Sequence, residues 1–134
     1  MNILGIGTDI TEVLRIAQMI ERHGDLFINR VFTEHEIRYC QARKMSTQHY
    51  AGRWAAKEAV LKAIGTGWRR GISWRDVEIR NAASGKPSVA CRGGVREVVE
   101  QQGIGDILIS ISHCRAYATA YAIAVGASEI EMDE

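Results

Sequence analysis

Glu58 and Lys62 stand four residues apart in a stretch rich in Ala, Lys, Glu and Leu, so on a helix they would lie one turn apart on the same side, as would Arg53 and Lys57. Taken alone, Glu58 ahead of Lys62 is an ordinary helix-stabilising pair. The surroundings add a second reading. Between Arg38 and Arg75 the chain carries nine basic residues and one acid, Glu58, a net of +8. A lone carboxylate among cations that can bind phosphate is the arrangement a phosphate-bridging Mg²⁺ requires. That ion takes one or two protein carboxylates and fills its remaining positions with phosphate oxygens and water. Asp9 is the natural second carboxylate. It stands in Gly5-Ile6-Gly7-Thr8-Asp9-Ile10, and if a strand runs through this segment, Gly5 and Gly7 share its face and leave an open space in front of the carboxylate. Asp9-Ile10-Thr11-Glu12 also fits a helix N-cap with a reciprocal glutamate, so both roles stand at this point.

Other motifs carry less. The Gly-Ile-Gly lacks the third glycine of a dinucleotide loop, which would fall at Ile10, and GTGWRRG at 65–71 lacks the Gly-Lys-Ser/Thr of a P-loop. A glycine-flanked turn can still offer amides to phosphate oxygens. His113 follows Ser110-Ile111-Ser112 at the end of a strand-like run, where a capping or packing role competes with a catalytic one. A triad of Ser112, His113 and Asp9 fails, because adjacent residues of a strand point to opposite faces. The remaining histidines and the three scattered cysteines, Cys40, Cys91 and Cys114, show no zinc-ligand spacing and no C-x-x-C pair, so reduced thiols are expected.

The elements that must position these residues follow from periodicity. Ile3 to Ile10 alternates as a strand with Leu4, Ile6 and Ile10 on one face. A helix from about Thr11 to His23 has Val13, Ile16, Ala17 and Ile20 on its apolar side and Arg15, Gln18 and Arg22 on its polar side. Thr33-Glu34-His35-Glu36 has capping-box spacing and starts a helix running to about Lys44. Tyr50 to Ile64 has no breaker and reads as a third helix, ended by Gly65. Val77–Arg80 and Ser88–Cys91 flank the turn cluster Ser84-Gly85-Lys86-Pro87 as a hairpin, and Val95–Gln102 suits a short helix. Ile107 to His113 alternates. After a turn, Ala116 to Val125 alternates again, with alanine at every second position on a face that lets a helix or a neighbouring chain approach closely. The fold expected is α+β, an antiparallel sheet packed against three or four helices.

A chain of 134 residues, 46% hydrophobic and 25% charged, reads as a single domain, taken as residues 1–126 with an acidic tail at 127–134. No apolar run is long enough to span a membrane, and the N-terminus lacks a signal peptide's basic start and apolar stretch, so the expectation is no membrane association and a cytoplasmic location. Net charge is only +1, yet the basic window suggests a polyanionic ligand: nucleic acid, nucleotide or an acidic protein. A nucleic-acid-binding module would set exposed aromatics among the cations, and only Trp54, Trp68 and Trp74 are available. An acyl-CoA-binding or thioesterase domain, with Cys114 or His113 as its chemistry, is the other alternative.

Several of these segments occur together in one order: Gly5-Ile6-Gly7-Thr8-Asp9-Ile10, Arg53-Trp54-Ala55-Ala56-Lys57-Glu58-Ala59 with Lys62-Ala63, Gly65-Thr66-Gly67, Gly85-Lys86-Pro87 and Ser110-Ile111-Ser112-His113. In this the sequence resembles, over nearly its whole length, the small type of the 4′-phosphopantetheinyl transferase family, the holo-[acyl-carrier-protein] synthases. The resemblance implies transfer of the phosphopantetheine arm of coenzyme A to a serine of apo acyl carrier protein, with release of adenosine 3′,5′-bisphosphate and a requirement for Mg²⁺. It implies Asp9 and Glu58 as metal ligands, Glu58 or a metal-linked water as proton acceptor, and Lys62 to neutralise or protonate the departing phosphate. Arg53, Lys86 and His113 become expected coenzyme contacts, and Arg15, Gln18 and Arg22 a docking stripe for the carrier protein. A homotrimer with active sites between subunits, and no nucleic-acid partner, is implied as well.

Overall fold

The computed structural model describes residues 2–127. β1 (Ile3–Glu12) leads directly into α1 (Val13–His23), followed by α2 (Asp25–Val31), α3 (Glu34–Gln41) and α4 (Ser46–Ile64). A hairpin of β2 (Val77–Asn81) and β3 (Pro87–Cys91), then α5 (Gly93–Gln101) and two long strands, β4 (Ile104–His113) and β5 (Tyr117–Gly126), complete it. The long strands form an antiparallel sheet in the order β1-β5-β4, and β2-β3 stands apart as a second, two-stranded sheet. The antiparallel α+β class is the one expected. The acidic tail lies outside the described residues, apart from Ala127.

Small side chains decide where α4 lies. Gly5, Gly7 and Asp9 sit opposite Ala124, Ala122 and Ala120 of β5, on one face of the sheet. α4 packs there through Ala55, Ala56, Ala59 and Ala63, all buried. The approach is so close that a Cβ built on Gly5 would overlap the carbonyl oxygen of Ala63, and one on Gly7 that of Ala59. This corrects the expected open space before Asp9: helix backbone fills it, and the glycines admit a helix rather than a ligand. The alanine face of β5 is likewise covered from within the chain. The large residues face the other way, with Ile6 and Ile10 of β1 at 68% and 67% exposure and Tyr121 of β5 at 56%.

Other boundaries moved for identifiable reasons. β1 continues to Glu12, paired with Tyr117, so α1 starts at Val13, and Asp9 lies within the strand opposite Ala120. The N-cap reading of Asp9 is thereby removed. α2 was not foreseen: seven residues are too few to show a helical period, yet it buries Phe27, Ile28 and Val31. α3 has the expected capping box, Thr33 Oγ1 accepting from the Glu36 amide at 3.3 Å and Glu36 Oε1 accepting from the Thr33 amide at 2.9 Å, but ends at Gln41. α4 begins four residues before Tyr50 and ends as expected at Gly65, whose φ of +76° suits a residue without a Cβ.

Lys57 ties three elements together. Its ammonium, fully buried, lies 2.8 Å from Glu36 Oε1 on α3 and donates to the carbonyls of Trp74 and Val77. Burial pushes its pKa below the ordinary lysine value, and the Glu36 carboxylate opposes that shift. Glu36 Oε2 also accepts from the Ile79 amide at 2.8 Å, which joins α3 to β2.

Candidate active site

Asp9 and Lys62 meet at one edge of the α4–β1 contact, and Glu58 stands one helical turn before Lys62 on the same side of α4. β1 runs antiparallel to α4, with Gly5 against Ala63 and Gly7 against Ala59, so Asp9 comes level with the preceding turn of the helix. Helical side chains lean toward the N-terminus, which carries Lys62 back to Asp9 and directs Glu58, one turn earlier, to the same edge. Lys62 Nζ donates to Asp9 Oδ1 at 3.2 Å and to the Thr8 carbonyl at 2.9 Å. Thr11 Oγ1 donates to Asp9 Oδ2 at 2.7 Å. Lys62 therefore pairs across elements, with Asp9, rather than along the helix with Glu58. Glu58 Oε1 instead accepts from the Trp68 indole at 3.2 Å. Trp68 is held by stacking, its ring 3.7 Å from Trp74, which in turn lies 4.2 Å from Trp54.

This donor set suits a hard divalent cation. Its two carboxylates come from different elements, and Glu58 Oε2 carries no hydrogen bond among the described residues. Among the described residues, no group of three or more His, Cys, Asp or Glu side chains is placed to hold a metal ion. A cation held here would complete its shell with ligand oxygens and water, as Mg²⁺ commonly does.

The other candidates gather elsewhere, around Tyr39. Arg53 is 3% exposed. Its guanidinium lies 3.8 Å over the Tyr39 ring and donates to Asn81 Oδ1, while its buried Nε has no partner. Asn81 Nδ2 donates to the Gly85 carbonyl at 2.9 Å, which fixes the turn carrying the exposed Lys86. Arg43 lies 3.4 Å over the opposite region of Tyr39 and donates to its carbonyl. His113 Nδ1 is 3.0 Å from Gln48 Oε1, and its ring meets His49 edge-on at 4.8 Å. Burial first, and then the charges of His113, Arg53 and Arg43, push the His49 pKa down to about 4, so His49 is neutral at pH 7.

The nine residues from Arg53 to Lys62 correspond to a rotation of about 180° around the helix. The two groups therefore lie on opposite sides of α4, and a single chain does not bring Arg53 and His113 to Asp9 and Glu58. Four of the nine cations of the basic window are engaged within the fold, Lys57 with Glu36, Lys62 with Asp9, and Arg43 and Arg53 with Tyr39, which breaks the window up as a continuous strip.

On α1, Arg15, Gln18 and Arg22 are exposed as the spacing predicts. Beside them a cleft of about 450 Å³ has an apolar floor of Met19, Phe27, Trp54 and Trp74, with Arg30 at its rim. The Arg15 guanidinium lies 5.9 Å over Trp54. Sequence reasoning missed Trp68, Tyr39, Asn81 and Lys57. Only Lys57 carried a signal, as a lysine at the helical repeat of Arg53.

Comparison with known proteins gives the family and the fold. The family model of the 4′-phosphopantetheinyl transferase superfamily matches residues 5–125. Holo-[acyl-carrier-protein] synthase of Protochlamydia amoebophila is 53% identical over 120 residues, 90% of this chain and 96% of that protein. The crystal structure of the Neisseria meningitidis holo-[acyl-carrier-protein] synthase superposes with a TM-score of 0.85 at 34% identity, covering 92% of this chain and 99% of the other. The Helicobacter pylori enzyme, solved in complex with coenzyme A, superposes with a TM-score of 0.80 at 28% identity over 90% of this chain and 99% of the other.

Proposed function

This chain belongs to the 4′-phosphopantetheinyl transferase superfamily, and from that membership we propose that it is a holo-[acyl-carrier-protein] synthase. It transfers the 4′-phosphopantetheine group of coenzyme A to a serine of apo acyl carrier protein and releases adenosine 3′,5′-bisphosphate. The observation that carries the reading is the Asp9–Lys62 contact between β1 and α4, with Glu58 one turn before Lys62, in a chain matched to this family over residues 5–125.

Phosphoryl transfer to a hydroxyl depends mostly on positioning and charge neutralisation. Mg²⁺ held by Asp9 and Glu58 would supply positive charge against the coenzyme's pyrophosphate. The chain's own residues do the rest. Thr11 holds one oxygen of Asp9, and Lys62 reaches the other while keeping an exposed ammonium for the departing phosphate. Trp68 holds Glu58 Oε1, which leaves Oε2 for the metal, and the serine proton passes to Glu58 or to a water beside the metal. Arg53, Lys86 and His113 bind the coenzyme's phosphates or adenine, and the unpartnered buried Nε of Arg53 is a donor awaiting such an acceptor.

Because the two groups of residues lie on opposite sides of α4, one coenzyme meets both only if a second copy contributes one of them. The exposed apolar face of the β1-β5-β4 sheet, Ile6, Ile10, Leu108 and Tyr121, supports a homotrimer with its sites between subunits. The apolar cleft lined by Met19, Phe27, Trp54, Trp74 and Arg30, with the exposed Arg15 and Arg22 on the same helix as Met19, suits a small acidic carrier protein. No helix among the described residues is long and apolar enough to cross a membrane, and a cytoplasmic location accords with soluble substrates.

The direct test mixes the protein with coenzyme A, Mg²⁺ and an apo carrier protein. The carrier should gain the mass of one phosphopantetheine, and a chelator should abolish the gain. An unmodified carrier at saturating coenzyme and metal overturns the proposal.

A further inference from the structure

Two cations of the basic window, Arg38 and Arg75, take no part in the candidate active site, and their guanidinium groups have no hydrogen bond or ion pair among the described residues. Both line a cleft of about 490 Å³ where α3, the short turn before β2, β2 itself and the segment leading into α5 meet. Arg80 and Arg92 line it as well, so four guanidinium groups arrive from four separate parts of the chain. The carboxylates there are Glu34 and Glu78, which leaves the cleft with a net charge of +2.

The cleft is built rather than incidental. Glu78 is 3% exposed, and its carboxylate holds Arg80 Nε at 2.6 Å and Arg92 Nη2 at 3.0 Å. Burial alone would raise its pKa, but the Thr33 hydroxyl and the two guanidinium groups outweigh burial and bring it down to about 2. Glu78 therefore stays ionised at any physiological pH and keeps both arginines in place. A guanidinium has five N–H donors, and Arg80 spends one and Arg92 one on Glu78 in these pairs, so each retains donors for a ligand. Prepositioned donors bind an anion without the entropy loss of ordering long side chains.

We propose that this cleft is a second anion site, separate from the candidate active site, which binds the phosphate group of a small phosphate monoester between Arg38, Arg75, Arg80 and Arg92. The charge selects the ligand class: a monoester phosphate is close to a dianion at pH 7, matching the excess of two, whereas a single carboxylate neutralises half of it. Guanidinium groups also match phosphate oxygens bidentately. No Phe, Tyr or Trp lines the cleft, so an unpaired nucleic-acid base has no platform to stack on. The volume exceeds that of the phosphate itself and leaves room for a small organic residue, with the His35 ring and the Glu34 carboxylate in reach of its hydroxyls.

The test uses the ¹⁵N-labelled full chain in a phosphate-free buffer, titrated with inorganic phosphate, ribose 5-phosphate and acetate and followed by amide and arginine Nε resonances. Inorganic phosphate and ribose 5-phosphate should give saturable shifts at Glu34, His35, Arg80 and Arg92, with acetate at least tenfold weaker. The double variant Arg38→Gln/Arg75→Gln, altered only at exposed positions, should lose at least tenfold in phosphate affinity while keeping its thermal midpoint and its turnover of coenzyme A. Shifts confined to Lys62, Lys86 and His113, non-saturating shifts, or an unchanged affinity in the double variant would each overturn the site. If single-stranded RNA shifts these resonances while ribose 5-phosphate does not, the cleft reads a polymer backbone and the small-ligand assignment is wrong.

Discussion

Asp9 and Glu58 differ from the other acids of the chain in what surrounds them. Asp9 gives both oxygens to neighbouring donors, Thr11 and Lys62, and Glu58 gives one to Trp68. Asp9→Asn and Glu58→Gln keep shape and remove charge, so each should lower turnover a hundredfold to a thousandfold, about 3 to 4 kcal/mol of transition-state stabilisation, with circular dichroism unchanged. Since Asp9 is paired within β1, an N-cap can no longer account for such a loss. Near wild-type turnover in either variant removes that residue from the metal site. His49 makes a separate prediction. Its pKa is about 4 folded and 6.5 in a model peptide, so the unfolded chain takes up the proton first on acidification. The stability it contributes is complete above pH 6.5 and falls away as pH drops toward 4. His49→Phe keeps the edge-on packing on Tyr39, and its thermal midpoint should decline less than wild type between those pH values. Parallel curves would show that His49 is not held neutral.

At the scale of elements, the contact between α4 and β1 sets the catalytic geometry, because no side chain separates their backbones at Gly5 and Gly7. Gly7→Ala places a methyl group where Ala59 O and Ala63 N lie, so helix and strand must move apart. The expected cost is about 3 kcal/mol in urea unfolding, together with an activity loss larger than the fraction unfolded explains. Stability and activity close to wild type would mean that the helix shifts freely and that this contact is not what aligns Glu58 with Asp9. The element facing the carrier protein is α1. Arg15→Glu with Arg22→Glu should raise the Michaelis constant for the carrier several-fold, more at low salt than at high, and leave that for coenzyme A nearly unchanged. A loss independent of salt, or shared equally by both substrates, takes α1 out of the docking surface.

The whole molecule poses a different question, because Asp9 and Glu58 on one side of α4 and Arg53 and His113 on the other cannot serve one coenzyme within a single chain. The outer sheet face carries large apolar residues with no intrachain partner: Ile6 at 68% exposure and Leu108 at 47%. Ile6→Asp with Leu108→Asp leaves the inner face untouched. By sedimentation velocity the wild type should be a trimer and the variant a monomer, with transfer activity lost although each chain stays folded. A monomeric wild type, or a monomeric variant that keeps full activity, excludes shared sites.

Local chemistry made much of this legible in the residues themselves. The capping box at Thr33 and Glu36, the breaker-free run before Gly65, the hairpin around Gly85 and the strict alternation from Ala116 to Val125 depend on neighbours within a few positions, and each formed as its spacing implies. The i, i+4 placement of Glu58 and Lys62 depends only on helical geometry, so that half of the site was visible before any fold was known. Partner choice was not. Lys62 turns to Asp9, fifty-three positions away, Lys57 to Glu36 and Trp68 to Glu58. Periodicity says which residues share a face but is silent on what covers it, which is why the alanine face turned inward and Ile6 and Ile10 outward. Close packing settles that question: glycine and alanine on β1 and β5 let the α4 backbone lie on those two strands, and the larger β1 residues Ile6 and Ile10 take the opposite face.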